Sequence, residues 1–148
     1  MPVDVLAVAA HPDDVEMTCG GTLVRLKARG NRFGILDLTH GEMGTRGTRE
    51  TRRREAERGA EILGADFRET FDFGDGGLAL TRQNELAVMD VIRREKPRLV
   101  ITSYPEDRHP DHAEDVAAFV HDSGDVVDRP VRVRGGRRLA AFVDVAKE

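Results

Sequence analysis

Asp4–Ala10 (DVLAVAA) is a short, nearly unbroken apolar run, the pattern of a strand covered on both faces. Beyond it, apolar residues recur at Val15, Cys19, Leu23 and Leu26, the spacing of a helix that Gly30-Asn31 ends. Arg32–His40 (RFGILDLTH) reads as a second strand. A Gly- and Thr-rich loop, Gly41–Thr48, leads from it into a helix running from about Arg49 to Leu63. That helix turns Ala56, Gly59, Ala60 and Leu63 inward, and Gly64 supplies its cap. Phe67–Phe73 is a weaker third strand, closed by the turn Gly74-Asp75-Gly76-Gly77. Gln83–Glu95 is a third helix stopped by Pro97, and Arg98–Ser103 (RLVITS) a fourth buried strand. The order β-α-β-α-β-α-β with short connections predicts an α/β fold, a Rossmann-like and mainly parallel sheet flanked by helices. Past that point the pattern weakens. Ala113–His121 reads as a short helix, and Pro130–Val145 as a hairpin with arms Val131-Arg132-Val133 and Leu139–Val145.

Composition narrows the class. A chain of 148 residues, 39% hydrophobic and 34% charged, is expected to form one domain over 1–148. A domain of that size covers about 68–70% of the surface its unfolded form exposes. No apolar run approaches the roughly 20 residues that span a bilayer. The start, Met1-Pro2-Val3-Asp4, lacks a basic and then apolar leader, so the expected location is the cytoplasm with no membrane partner. A net charge of −4 argues against nucleic acid as a partner. Cys19 is the one cysteine, which excludes an internal disulfide, and its place on an apolar helix face suits core packing better than reactivity.

In an open parallel sheet, ligands bind beyond the carboxyl ends of the strands. Two such places carry nearly the same tetrapeptide: His11-Pro12-Asp13-Asp14 after the first strand and His109-Pro110-Asp111-His112 after the fourth. Together they bring three histidines and three carboxylates to one end of the sheet. Catalytic zinc takes three ligands from His and Asp/Glu and keeps one position for water. His11 and Asp14, at i and i+3 in a turn entering a helix, can converge on one ion, while Asp13 points elsewhere and can take a proton from the attacking water. The second motif offers a third ligand and a partner histidine for a developing oxyanion or a leaving amine. Asp111 is placed to orient a histidine. Either His-Pro-Asp alone reads equally well as a turn with Asp capping a helix. Both together, each after a parallel strand, point to a mononuclear metal hydrolase.

The wider surroundings resemble the PIG-L/LmbE-like family of zinc-dependent N-acetylglucosaminyl deacetylases. Ala10-His11-Pro12-Asp13-Asp14 with Cys19-Gly20-Gly21-Thr22 is similar to that family's opening signature. The stretch from Asp37 to Thr48 (DLTHGEMGTRGT) resembles its second-strand loop, and Arg52 with Glu55-Ala56 its Arg-x-x-Glu-Ala helix start. Within the family the loop is most similar to the deacetylases of bacillithiol synthesis, which act on N-acetylglucosaminyl malate. The resemblance runs from about Val3 to Asp115. It implies His11, Asp14 and His112 as metal ligands, Asp13 as general base, His109 as electrostatic or acid partner, and a substrate role for Arg52. It implies zinc as cofactor, with iron(II) as the alternative ion, and a small amino-sugar conjugate as substrate. Arg46 and Arg108 join the candidate substrate residues because a malate carboxylate suits a bidentate cation. Whether the chain forms a homo-oligomer is left open.

Members of that family run longer and draw further site residues from their later part. Here the helix expected after His112 breaks at Asp122-Ser123-Gly124-Asp125, and Val126–Glu148 matches nothing in the family pattern. The expectation is therefore one LmbE-like deacetylase domain, truncated or divergent after about residue 122. Three other readings compete. A relative that binds metal without turnover is the first. A 2-His-1-carboxylate iron(II) oxygenase is the second, which would call for an all-β barrel. A nucleotide-binding Rossmann module ranks last, because no G-x-G-x-x-G follows the first strand.

Overall fold

The computed structural model describes residues 2–79, 81–103, 108–112 and 141–144. Strands β1 (Val5–Ala9), β2 (Phe33–Asp37), β3 (Phe67–Thr70), β4 (Leu99–Thr102) and β5 (Ala141–Asp144) form one sheet in the order β3-β2-β1-β4-β5. The first four are parallel, with Ala7 of β1 opposite both Ile35 and Ile101. β5 lies antiparallel on the β4 edge, Val100 in register with Val143. The α/β architecture expected from the sequence is the one found. Helices α1 (Asp14–Ala28), α2 (Arg49–Leu63) and α3 (Arg82–Glu95) connect the parallel strands.

Alternation along the strands sorts the core into two layers. Val5, Ala7, Ala9, Phe33, Ile35 and Ile101 pack with Val15, Cys19 and Leu23 of α1. Leu6, Val8, Leu36, Leu38 and Val100 pack on the other face with Val88 and Val91 of α3. Cys19 is thus a core residue whose thiol burial pushes up to about 11, as its helical position suggests. The helix ends are chemically specified. Thr48 and Thr81 accept the N–H of Thr51 and Asn84 at the starts of α2 and α3. Gly64 closes α2 in the left-handed region at φ 77°. α3 is closed by Lys96, also left-handed at φ 48°, one residue before Pro97.

The strands are shorter than their apolar runs: β2 stops at Asp37 rather than His40, and β3 at Thr70 rather than Phe73. Leu38 and Thr39 leave the ladder to donate to the carbonyls of Ala9 and Ala10, which carries the chain over the end of β1. One arm of the expected hairpin contains β5. Its other arm, Val131-Arg132-Val133, and the expected helix Ala113–His121 lie outside the described residues. No helix among the described residues is long and apolar enough to cross a membrane.

The strand order fixes where a site can form. The chain moves from β1 to β2 and β3 on one side, then returns to place β4 on the other. This reversal opens a crevice at the carboxyl ends of β1 and β4. The two His-Pro-Asp motifs follow those two strands.

Candidate metal centre

His11 follows β1 after Ala10, whose carbonyl accepts both the N–H and the hydroxyl of Thr39 at 3.0 and 2.8 Å. Pro12 is buried, and the chain turns back at once into α1. The Asp14 carboxylate closes this turn: its Oδ2 accepts the His11 backbone N–H at 3.0 Å and lies 3.2 Å from His11 Nδ1. His112, arriving from the β4 side, places Nε2 3.1 Å from that same oxygen. The two motifs, about a hundred residues apart in sequence, therefore meet at one carboxylate. Desolvation opposes its ionisation, but hydrogen bonds and charge from His11 and His112 outweigh that and hold Asp14 well below the usual carboxylate range.

His11 is gripped from its other side as well. Its Nε2 is 3.1 Å from Asp111 Oδ2 and 3.0 Å from Asp75 Oδ1. Burial works against a charged imidazole here. The Asp14 carboxylate, with Asp111 and Asp75 behind it, prevails and His11 is pushed up to about 9. Asp111, 2% exposed, accepts the backbone N–H groups of Gly76 at 2.9 Å and Leu78 at 3.3 Å. Burial would raise its pKa, yet those N–H groups and His11 hold it down. The histidine that the Asp111 carboxylate meets is thus His11. Towards His109 it is the Asp111 backbone N–H that donates, to Nδ1 at 3.3 Å. The His109 ring stands edge-on to His11 with centroids 4.9 Å apart and stacks on His112 at 5.0 Å.

Asp13 turns outward from this cluster, 52% exposed, and Arg52 Nη2 approaches its Oδ2 at 3.6 Å. The Arg52 guanidinium runs beneath the Gly41–Gly44 turn. Gly41 sits at φ +64°, a left-handed conformation that favours glycine, and a Cβ there would lie 2.6 Å from Arg52 Nη2 and force the guanidinium to shift. Arg52 Nε is buried with no hydrogen-bond partner among the described residues. Arg46 and Arg108 are exposed, and no contact among the described residues ties either to the centre. Of the nine residues singled out from the sequence, five (His11, Asp14, His109, Asp111 and His112) are brought together, Asp13 and Arg52 pair with each other beside them, and Arg46 and Arg108 are not tied to the cluster among the described residues. Asp75 was missed. Gly74-Asp75-Gly76-Gly77 reads as an ordinary turn, and the one available hint was its place after a parallel strand, at the ligand-binding end of the sheet.

Among the described residues two donor sets lie close enough together to hold a cation, with ligand atoms within 4.8 Å of one another: His11 with His109 and His112, and His11 with Asp75 and Asp111. Ligand atoms around a tetrahedral zinc stand about 3.4 Å apart when its bonds are near 2.1 Å. The separations of Asp14 Oδ2 from His11 Nδ1 and His112 Nε2 are close to that edge. His109 is therefore near enough to join a cation held by His11 and His112.

A sequence profile of the PIG-L family, described as GlcNAc-PI de-N-acetylase, matches residues 6–122. Among curated proteins, the chain is 37% identical over 118 residues to the diacetylchitobiose deacetylase of Thermococcus kodakarensis, covering 73% of this chain and 44% of that protein. It is 32% identical over 121 residues to a probable N-acetyl-alpha-D-glucosaminyl L-malate deacetylase 2 of Bacillus anthracis, covering 73% and 54%. It is 30% identical over 109 residues to the 4-oxalmesaconate hydratase of Pseudomonas putida, covering 66% and 42%. The chain spans about half the length of these relatives. Among solved structures, a conserved protein of Thermus thermophilus superposes with a TM-score of 0.75 at 46% identity, over 91% of this chain and 62% of that one.

Proposed function

This chain belongs to the PIG-L (GlcNAc-PI de-N-acetylase) family, and we propose that it is a metal-dependent hydrolase that removes the acetyl group from an N-acetylglucosamine-type amino sugar. The observation that carries the reading is the meeting of His11 and His112 on Asp14 Oδ2, which assembles two histidines and a carboxylate from both edges of the switch-point crevice. These three residues would hold the ion, zinc in the first instance and iron(II) as the alternative. When bound, such an ion acidifies water and polarises the amide carbonyl.

The remaining steps belong to the chain's own side chains. Asp13, exposed at the mouth of the crevice, accepts the proton of the attacking water as the new C–O bond forms. Arg52, across from it, balances that charge and faces the substrate. His109 accepts at Nδ1 from the Asp111 backbone, so its ring proton sits on Nε2, where it serves the developing oxyanion. Breaking the C–N bond then gives acetate and the free amine, with the proton gained by Asp13 passing to nitrogen. Asp111 orients His11 rather than touching substrate. Arg46 and Arg108 remain candidates for an anionic aglycone such as malate, acting from the rim.

The test measures acetate release and metal content on the same protein, with N-acetylglucosamine, N,N'-diacetylchitobiose and N-acetylglucosaminyl malate as substrates. Acetate release that follows metal content is the expected result. Metal-loaded protein that releases none from all three makes the chain a binding relative without this turnover. The hydratase relative sets the other outcome, water addition to an unsaturated acid in place of acetate release. The oxygenase reading loses its basis, since its expected barrel is replaced by a parallel α/β sheet.

A further inference from the structure

The turn after β3 does more than connect. Asp75 lies in it with its side chain only 7% exposed, although the two residues that follow, Gly76 and Gly77, are exposed. Both of its carboxylate oxygens are engaged, and by different parts of the chain. Oδ1 lies 3.0 Å from His11 Nε2, and Oδ2 accepts the Met43 backbone N–H at 2.6 Å. The Asp75 N–H donates to Glu42 Oε1 at 3.1 Å. From below, Asp111 holds the next residues of the turn through the N–H groups of Gly76 and Leu78. A turn that only reverses the chain would leave its aspartate in water. This one buries the charge and divides it between a histidine ring and the loop after β2.

We infer that Asp75 is a positioning residue of the centre. Together with Asp111 it holds the Nε2–H of His11, which leaves Nδ1 facing Asp14. Through Met43 it fixes the Gly41–Thr48 loop against the same ring. The inference rests on the reading of His11 as a metal ligand and needs no particular substrate. A carboxylate behind a ligating imidazole fixes its tautomer and orientation, and losing such a partner weakens metal binding 10- to 100-fold.

Zinc affinity, measured by chelator competition on metal-free protein without substrate, tests it, alongside hydrogen exchange of the Met43 amide. Asp75→Ala should weaken zinc binding by about 10- to 100-fold and speed exchange at Met43. Asp75→Asn keeps the shape but offers one acceptor oxygen to two donors, so its affinity should fall between. Glu42→Ala removes only the bond from the Asp75 N–H, leaving the Asp75 carboxylate on His11 and Met43, and should leave zinc affinity unchanged. A merely structural turn would change thermal stability of the metal-free protein and not its affinity for zinc. Zinc binding by Asp75→Ala within about twofold of wild type overturns the inference, and Asp75→Asn decides it by the same threshold should the alanine variant not fold. Wild-type protein that takes up neither zinc nor iron(II) overturns this inference and the functional reading together. Wild type that takes up zinc yet releases no acetate overturns the activity alone.

Discussion

Asp13 and Asp14 are neighbours with different surroundings, and that difference sets what each substitution should do. Asp14 lies between two imidazoles, while Asp13 faces solvent and Arg52. Asp13→Asn should keep the metal and lower turnover by about 10²- to 10⁴-fold, the usual worth of a positioned general base. Asp14→Asn should lose metal. Metal content and acetate release on the same samples check both, and retention of most activity by Asp13→Asn would remove its assignment as base. The contact of His11 with Asp14 also carries a pH signature in metal-free protein. Raised to about 9, His11 adds stability that is complete below its ordinary value near 6.5 and is lost as pH climbs through about 9. The depressed Asp14 adds stability that is present above its ordinary value of about 3.9 and is lost as pH falls below it. Both describe one interaction, so they are counted once. Urea midpoints of metal-free protein should therefore be highest between about pH 4 and 6.5 and fall towards 9. His11→Gln should abolish that alkaline fall, and a wild-type profile that stays level across it would contradict the geometry.

Among the elements, β3 shows best what periodicity can and cannot reveal. Its run reads as weak because Arg68 and Thr70 interrupt the apolar residues. Both lie on the sheet face that α1 and α2 cover, where a buried ionic group stands in place of aliphatic packing. Arg68, 6% exposed, donates through Nε and Nη2 to the two oxygens of Asp37 at 2.7 and 2.9 Å, and it also meets Glu16 and the Ala56 carbonyl. Burial opposes the Arg68 charge, but Asp37 and then Glu16 hold its pKa above the ordinary arginine value. Four strands and three helices were legible because apolar runs and caps are local. This cluster was not, because charge pairing across 31 and 52 residues leaves no trace in spacing. Asp75 was hidden for a related reason: turn composition masks a carboxylate whose partners are remote. Arg68→Met should strand the fully buried Asp37 and cost about 3–5 kcal/mol. Urea unfolding measures it, with Asp37→Asn in the same background expected to recover part. A loss below about 1 kcal/mol, the range of surface pairs, would mean that water reaches the site.

For the whole molecule, the centre joins parts of the chain that the sheet alone holds less directly. His11 and Asp14 leave the middle strand of the sheet, Asp75 follows β3, and Asp111 and His112 come from the segment after β4. Both His-Pro-Asp motifs could be read from sequence, because each follows a strong apolar run and the parallel order places those run ends together. Their convergence depended on the strand order β3-β2-β1-β4, which sets β4 beside β1 across the switch point. An ion held by His11, Asp14 and His112 would close a loop of about a hundred residues, and it binds the folded chain alone. Such a ligand at a hundredfold excess over its dissociation constant stabilises by about 2.7 kcal/mol. For a chain of this size that corresponds to a rise in melting temperature of about 5–10 °C. The expectation is that zinc added to metal-free protein gives this rise, that chelator reverses it, and that His112→Ala lowers it sharply, since its His11 and Asp14 remain but the link across the crevice is gone. Asp13→Asn should keep the full rise, which separates holding the ion from using it. If His112→Ala responds to zinc as wild type does, the ion is held on the β1 side alone, and the crevice-spanning centre is wrong.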